Sequence, residues 1–197
     1  LTRFNPNNFN AGPDFPRLAG EVKGFDPEEL VKKGITNRKI LHRLDLSVIF
    51  ALAAASEAIN DAGVEIQKED PWRLGLQIGT VFGGVATWEK NSQTLLKEGI
   101  EKISPFFVPM SIGNMAAGQI SIAYGWKGVV SANSDACATG AQAIGKAFDE
   151  IRLGRADLIL AGGTDAAITP LIVGGLHTTG ALSCRNDEPE KASRPFD

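Results

Sequence analysis

The stretch 129-VVSANSDACATGAQAIGKAFDEIRLGRADLILAGG-163 decides how this chain is to be read. Val129 to Asn133 read as a short strand. Beyond Cys137, Ile144, Ala147, Phe148 and Ile151 recur at helical spacing, and the pattern ends near Gly154. "ADLILAGG", residues 156–163, is a further apolar run closed by glycines, a strand again. Between the first strand and the helix stands Cys137, among Ala136, Ala138, Gly140 and Ala141, residues with almost no bulk. A side chain at a strand-to-helix turn sits beside backbone N–H groups that lack intrahelical partners, and the helix dipole adds partial positive charge there. For a cysteine this favours the thiolate, which attacks carbonyl carbon, and the free N–H groups suit the oxyanion that results. The same spacing also suits a small hydrophobe in a tightly packed helix, the ordinary condition of a free cysteine. Spacing alone leaves both readings open.

Outward from this stretch the pattern repeats. Residues 1 to 35 read as irregular, with turn formers at Asn5, Pro6, Gly12, Pro13 and Pro16 and one short helical turn in "FDPEEL". Leu41, Leu44, Val48, Leu52, Ala55 and Ile59 step by three and four along one helix that stops at Gly63. Arg73 to Thr80 read as a strand ended by the glycines of "GTVFGG", and a polar helix follows from about Val85 to Leu96. The loop "ISPFFVP" then leads into a helix rich in small residues, Met110 to Tyr124, and a last helix runs from Pro170 to Thr179. Short strands alternating with helices predict an α/β fold with helices on both sides of the sheet.

Composition narrows the function classes. With 197 residues, 43% of them hydrophobic, the chain can bury a real core. A formal net charge of −3 gives no reason to expect nucleic acid, so any basic docking surface must be local. Two widely separated cysteines, Cys137 and Cys184, form neither a disulfide framework nor a metal-ligand spacing, which fits a reducing, cytoplasmic compartment. No apolar run is long enough to span a membrane, and the start has no signal-peptide pattern. The chain opens at Leu1 in a loop-like segment, the reading of a piece of a longer protein.

Several long motifs then give the chain a likeness. "DACATGAQAIGKAF" (135–148), "ADLILAGGTDAAITPL" (156–171) and "GALSCRNDEPEKASRPFD" (180–197) resemble the nucleophile region of the type II β-ketoacyl-acyl carrier protein synthases. "KISPFFVPMSIGNMAAGQISIAYGWKG" (102–128) resembles the segment before it, and the likeness runs from about Phe4 to Asp197. It implies a thiolase-like, layered αβαβα architecture, of which residues 1–197 form one N-terminal synthase domain without its first strand and without the C-terminal half. It also implies a ping-pong condensation of fatty acid elongation, with Cys137 as nucleophile, acyl carrier protein as partner, a homodimer, and no metal or organic cofactor. The family's catalytic histidines and lysine lie in the half not represented here. His42 and His177 are the only histidines, and neither sits in a matching segment. The chain by itself is therefore not expected to complete the condensation.

The resemblance assigns further positions. Phe82, Ile172 and Leu176 fall on acyl-pocket positions; Phe82 and Ile172 are bulkier than the family's usual residues, and Leu176 replaces a frequent Phe. Added volume in a packed tunnel implies short or branched primers, unless Leu176 offsets Phe82 and the tunnel only bends. Phe107 resembles the residue that reaches into the partner subunit's pocket, and Val129 to Asn133 the strand that pairs across the twofold axis. Lys39 and Arg43, on one helix face within "VKKGITNRKILHRLD", match the family's docking helix for the acidic carrier, and Lys102 is a further docking candidate. Asp135 departs from the family, which usually has a small neutral residue there. Either this carboxylate lies close to the sulfur and opposes thiolate formation, or Asp135 caps the helix or faces a dimer neighbour, the reading preferred here. Cys184 reads as an incidental exposed thiol. Two other classes stay open: a non-elongating partner subunit, against which Cys137 argues, and an assembly fragment without chemistry.

Overall fold

The computed structural model describes residues 11, 12 and 14–196 together with the strand residues Thr2–Arg3. Asn5, Pro6 and Pro13, read above as turn formers, lie outside the described residues. In chain order the elements begin with β1 (Thr2–Arg3), β2 (Leu18–Ala19), α1 (Glu28–Lys32), α2 (Arg38–Leu41), α3 (Leu46–Asp61) and β3 (Leu74–Gly79). They continue with α4 (Val85–Glu98), α5 (Phe107–Ser111), α6 (Met115–Tyr124), β4 (Val130–Ser131), α7 (Thr139–Arg152), β5 (Leu158–Gly163) and α8 (Pro170–Thr178). The chain divides into two compact units, one of residues 26–166 and one of residues 1–25 with 167–197.

In the smaller unit β1 and β2 pair antiparallel, Thr2 opposite Ala19 and Arg3 opposite Leu18, where irregular chain was expected. Asn186 ties this unit together: its Oδ1 accepts from the Arg17 N–H at 2.7 Å and its Nδ2 donates to the Phe15 carbonyl at 3.0 Å. Helix α8 starts at Pro170, whose missing N–H costs nothing at a first helical position, and Thr169 caps it by accepting from the Ile172 N–H.

The larger unit is built on three parallel strands in the order β4-β3-β5. Leu76 lies opposite Val130, and β3 runs beside β5 from Leu74–Leu158 to Gly79–Gly163. All six residues of β3 are buried, as a central strand covered on both faces requires. The order dictates where the helices go. The crossover from β3 to β4 moves one way along the sheet, and that from β4 to β5 moves back past β3. Right-handed crossovers in opposite directions place their helices on opposite faces. α7 lies on the face of Gly75, Gln77 and Gly79, since a Cβ on Gly79 would run into the Thr139 side chain. Leu74, Leu76 and Ile78 point the other way, toward α6, which is backed by α3. Leu52, Leu74, Leu76, Ile120 and Trp126 are its most deeply buried large side chains. Helices on both sides of the sheet were expected, and the structure has them.

Two expectations change. The helix read from Leu41 to Ile59 is two helices, because Asp45 interrupts it. Asp45 takes an extended conformation and its Oδ1 accepts from the Ser47 N–H at 3.0 Å and the Ser47 hydroxyl at 2.8 Å, a helix cap in place of helix continuation. Its Oδ2 accepts from the Thr87 hydroxyl at 2.7 Å, which fastens α3 to α4. The helix read from Met110 to Tyr124 is also split, α5 beginning inside the presumed loop at Phe107 and Ile112 returning to extended backbone before α6. Pro109 is tolerated in α5 because its place in the first turn needs no N–H donor. Along α7 the buried residues are Thr139, Ala143 and Ala147, whereas Ile144, Phe148 and Ile151 are exposed. Among the described residues no helix is long and apolar enough to cross a membrane.

Asp45 is only 3% exposed and accepts from two hydroxyls. Asp45→Ala would leave both buried donors without their acceptor. It is expected to lower stability by about 3 kcal/mol, seen as a lower urea midpoint at unchanged slope. A loss under about 1 kcal/mol would show that the cap does not fasten α3 to α4.

Candidate active site

The turn that carries Cys137 is built at the end of β4. Thr80, just after β3, donates its N–H to the Asn133 carbonyl at 3.0 Å. The Asn133 side chain then folds over the turn, its Nδ2 donating to the Thr139 carbonyl at 2.9 Å and to Asp135 Oδ2 at 2.7 Å. Thr139 closes the loop: its hydroxyl donates to the Ala136 carbonyl at 2.7 Å and accepts from the Asp135 N–H at 2.9 Å. Inside this cage Ala136 has φ +48°, in the left-handed region that a residue with a Cβ avoids. Such strain costs about 1–3 kcal/mol and persists only where surrounding bonds over-determine it. Cys137 follows in a 3-10 turn, Ala136–Ala138, which leads into α7, so the helix proper starts two residues later than Cys137 itself. The thiol is free and exposed. Among the described residues the Cys137 N–H has no acceptor, which leaves it available to an oxyanion on a group bound to the sulfur.

Asp135 does not cap α7. Its carboxylate accepts from Asn133 and faces Lys146 Nζ at 3.5 Å. The helix start is closed by Thr139, leaving the carboxylate to the surface side of the turn.

Phe82 is 40% exposed in the turn after β3, and the residue that fixes this turn escaped the sequence reading. Asp165, just past β5, accepts from the Thr80 hydroxyl at 2.8 Å and the Phe82 N–H at 2.9 Å on one oxygen, and from the Val81 N–H at 3.0 Å on the other. The only local signal was an acid following "AGGT" at a strand end. Cys137, Phe82 and Asp165 thus stand at the same end of the sheet, beyond the carboxyl ends of β4, β3 and β5, where open parallel sheets hold their sites. Phe107 opens α5 and packs edge-on against Trp88 of α4, ring centroids 4.6 Å apart. Ile172 and Leu176 lie four residues apart on α8 in the smaller unit, on one face of that helix. His177 of that helix meets Phe15 edge-on at 5.2 Å.

The basic residues divide. Lys39 is exposed on α2, but Arg43 falls in the turn created by the Asp45 cap, so the two do not share a helix face. The Arg43 guanidinium lies 4.2 Å over the Phe106 ring, a cation–π contact. Arg38 pairs with Glu28 at 2.9 Å, and Lys32 with Glu29. Lys39 and Lys102 make no ion pair among the described residues. Cavities of about 290 Å³, beside Ile35, Ile40 and Ile122, and about 640 Å³, in the smaller unit beside Leu18 and Leu182, are not lined by Cys137. Among the described residues no group of three or more His, Cys, Asp or Glu is placed to hold a metal ion.

A parallel sheet with helices on both sides is the architecture of the thiolase-like ketosynthases, to which the solved neighbours belong. The family model described as the β-ketoacyl synthase N-terminal domain matches residues 16–197, and this chain belongs to that family. It is 43% identical to the 3-oxoacyl-[acyl-carrier-protein] synthase 2 of Vibrio cholerae over 197 residues, all of this chain and 45% of that protein. A β-ketoacyl synthase from Burkholderia phymatum superposes with a TM-score of 0.84 at 29% identity, over 100% of this chain and 47% of that one. A type II polyketide ketosynthase, solved with its acyl-carrier protein and bound to the hexaketide, gives a TM-score of 0.72 at 26% identity, over 82% of this chain and 46% of that one. The chain spans less than half the length of these relatives.

The closeness of β3 to the Cys137 turn can be tested at Gly79, where an added Cβ would stand 2.7 Å from the Asn133 carbonyl oxygen and against the Thr139 methyl. Gly79→Ala is expected to cost about 2 kcal/mol or more and to slow alkylation of Cys137. A variant as stable and as reactive as the parent would show that the turn does not depend on this contact.

Proposed function

We propose that the chain is the acyl-accepting part of a 3-oxoacyl-acyl carrier protein synthase of fatty acid elongation, with residues 1–197 forming one N-terminal synthase domain. In the first step the Cys137 sulfur bonds to the acyl carbonyl carbon and the carrier's thiol leaves. In the second, malonyl-carrier protein loses carbon dioxide, its carbanion bonds to that carbonyl carbon, and the Cys137 thiolate is released with the acyl chain two carbons longer. Neither step needs an oxidant, a metal or an organic cofactor. The observation that carries the reading is the exposed thiol on a strained turn beside an uncommitted N–H. The groups that promote decarboxylation belong to the remainder of the longer enzyme.

The finer assignments follow from this reading. Phe82, held by Asp165, and Phe107 are acyl-pocket positions, as are Ile172 and Leu176 on α8, and the bulk at Phe82 favours short or branched primers. Lys39, Arg43 and Lys102 meet the acidic acyl carrier protein; exposure of Lys39 and Lys102 without acidic partners among the described residues supports this. The ketosynthase solved with its acyl-carrier protein gives the partner class. A homodimer across β4 is supported by its position at the sheet edge, with Val130 41% exposed. Two free, exposed cysteines fit a cytoplasmic, reducing setting.

The test is intact-mass analysis of the full-length protein after incubation with short-chain acyl-carrier protein. A single acyl adduct that Cys137→Ala abolishes is the expected result. An adduct that survives Cys137→Ala, or none at all, would overturn the assignment. In the same assay Phe82→Gly is expected to extend the accepted chain length; an unchanged profile would end the primer reading.

A further inference from the structure

Asp135 puts a carboxylate two residues before Cys137, yet its oxygens are not left to act on the sulfur unopposed. Oδ2 accepts from Asn133 Nδ2 at 2.7 Å and stands 3.5 Å from Lys146 Nζ. Lys146 lies seven residues, two turns, after Thr139, and helical side chains lean toward the helix N-terminus. Its amine therefore reaches back over the first turn of α7. Among the described residues Asp135 makes no other ion pair. β3, β4, β5 and the turn 80–84 carry no ionisable side chain. Asp165 is committed to Thr80, Val81 and Phe82. Farther along α7, Asp149 is exposed and Glu150 is paired with Arg155.

We propose that Lys146 is a positioning residue for Cys137, which fixes the Asp135 carboxylate against Asn133 and offsets its negative charge at the thiol. The inference rests on Cys137 being the reacting group. An unopposed carboxylate this near in sequence works against the thiolate by repulsion, whereas a carboxylate paired with an ammonium group presents little net field. The pair also holds Asn133 by its second hydrogen bond, and Asn133 holds the turn. Both side chains are partly exposed, 46% for Lys146 and 36% for Asp135, so solvent screens the effect and its size is modest.

The experiment follows the rate of Cys137 alkylation by iodoacetamide from about pH 6 to about pH 10, at low salt, in the intact protein carrying Cys184→Ser. Lys146→Met is expected to slow the reaction about two- to fivefold near neutral pH and to move the profile to higher pH. Lys146→Arg should restore the parent profile, and in an Asp135→Asn background Lys146→Met should have no effect. A Lys146→Met profile that superimposes on the parent, or a loss that persists in the Asp135→Asn background, would overturn the proposal. Alkylation does not require acyl transfer, so failure of the condensing-enzyme reading and failure of the ion pair give separate results.

Discussion

The side chain of Asn133 is the joint on which the site depends. Asn133 is 8% exposed, and its side-chain nitrogen holds the Thr139 carbonyl and the Asp135 carboxylate, while its backbone carbonyl receives the N–H of Thr80. The end of β3, the end of β4 and the start of α7 are therefore fixed relative to one another by one residue. β5 is drawn to the same point, since the Thr164 N–H donates to the Gly79 carbonyl at 3.0 Å and Asp165 holds the turn beyond. This closure permits Ala136 its left-handed backbone, and that backbone sets Cys137 at the surface of the turn.

Strand order determines which groups this joint can gather. Because β4 and β5 flank β3, the chain leaves the carboxyl ends of three adjacent strands close together, each time into a turn that carries a polar or reactive side chain. β3 leads to Thr80 and Phe82, β4 to Asn133 and Cys137, β5 to Thr164 and Asp165. Residues more than eighty positions apart in sequence, such as Thr80 and Asp165, meet at 2.8 Å for this reason.

Local pattern disclosed β3, β4 and β5, the longer helices and the place of Cys137, because each depends on neighbours within one or two turns; it did not disclose β1 and β2. It misplaced the breaks. The apolar steps from Leu41 to Ile59 continue through Asp45 without a fault, and its bonds to Ser47 and to Thr87, forty-two residues on, explain why a buried carboxylate starts a new helix there. That break also separates Lys39 from Arg43, which sequence spacing had placed on one face. Asp165 and Lys146 went unread for the same reason: each is an ordinary surface residue type whose role comes from a partner brought near by the fold.

The inward face of α7 follows from the joint itself. Thr139 must come close enough to β3 for its side chain to pack over Gly79 and for its carbonyl to reach Asn133. A helix can lie that near a sheet only if its inward residues are small, and Thr139, Ala143 and Ala147 are the inward residues. Ile144, Phe148 and Ile151 on that side would lift α7 from the sheet, withdraw Thr139 and release Ala136 from its strained backbone. Their position away from this sheet is thus required by the geometry of the Cys137 turn, and hydrophobic periodicity, which ranks residues by apolarity, does not say which face of α7 meets β3.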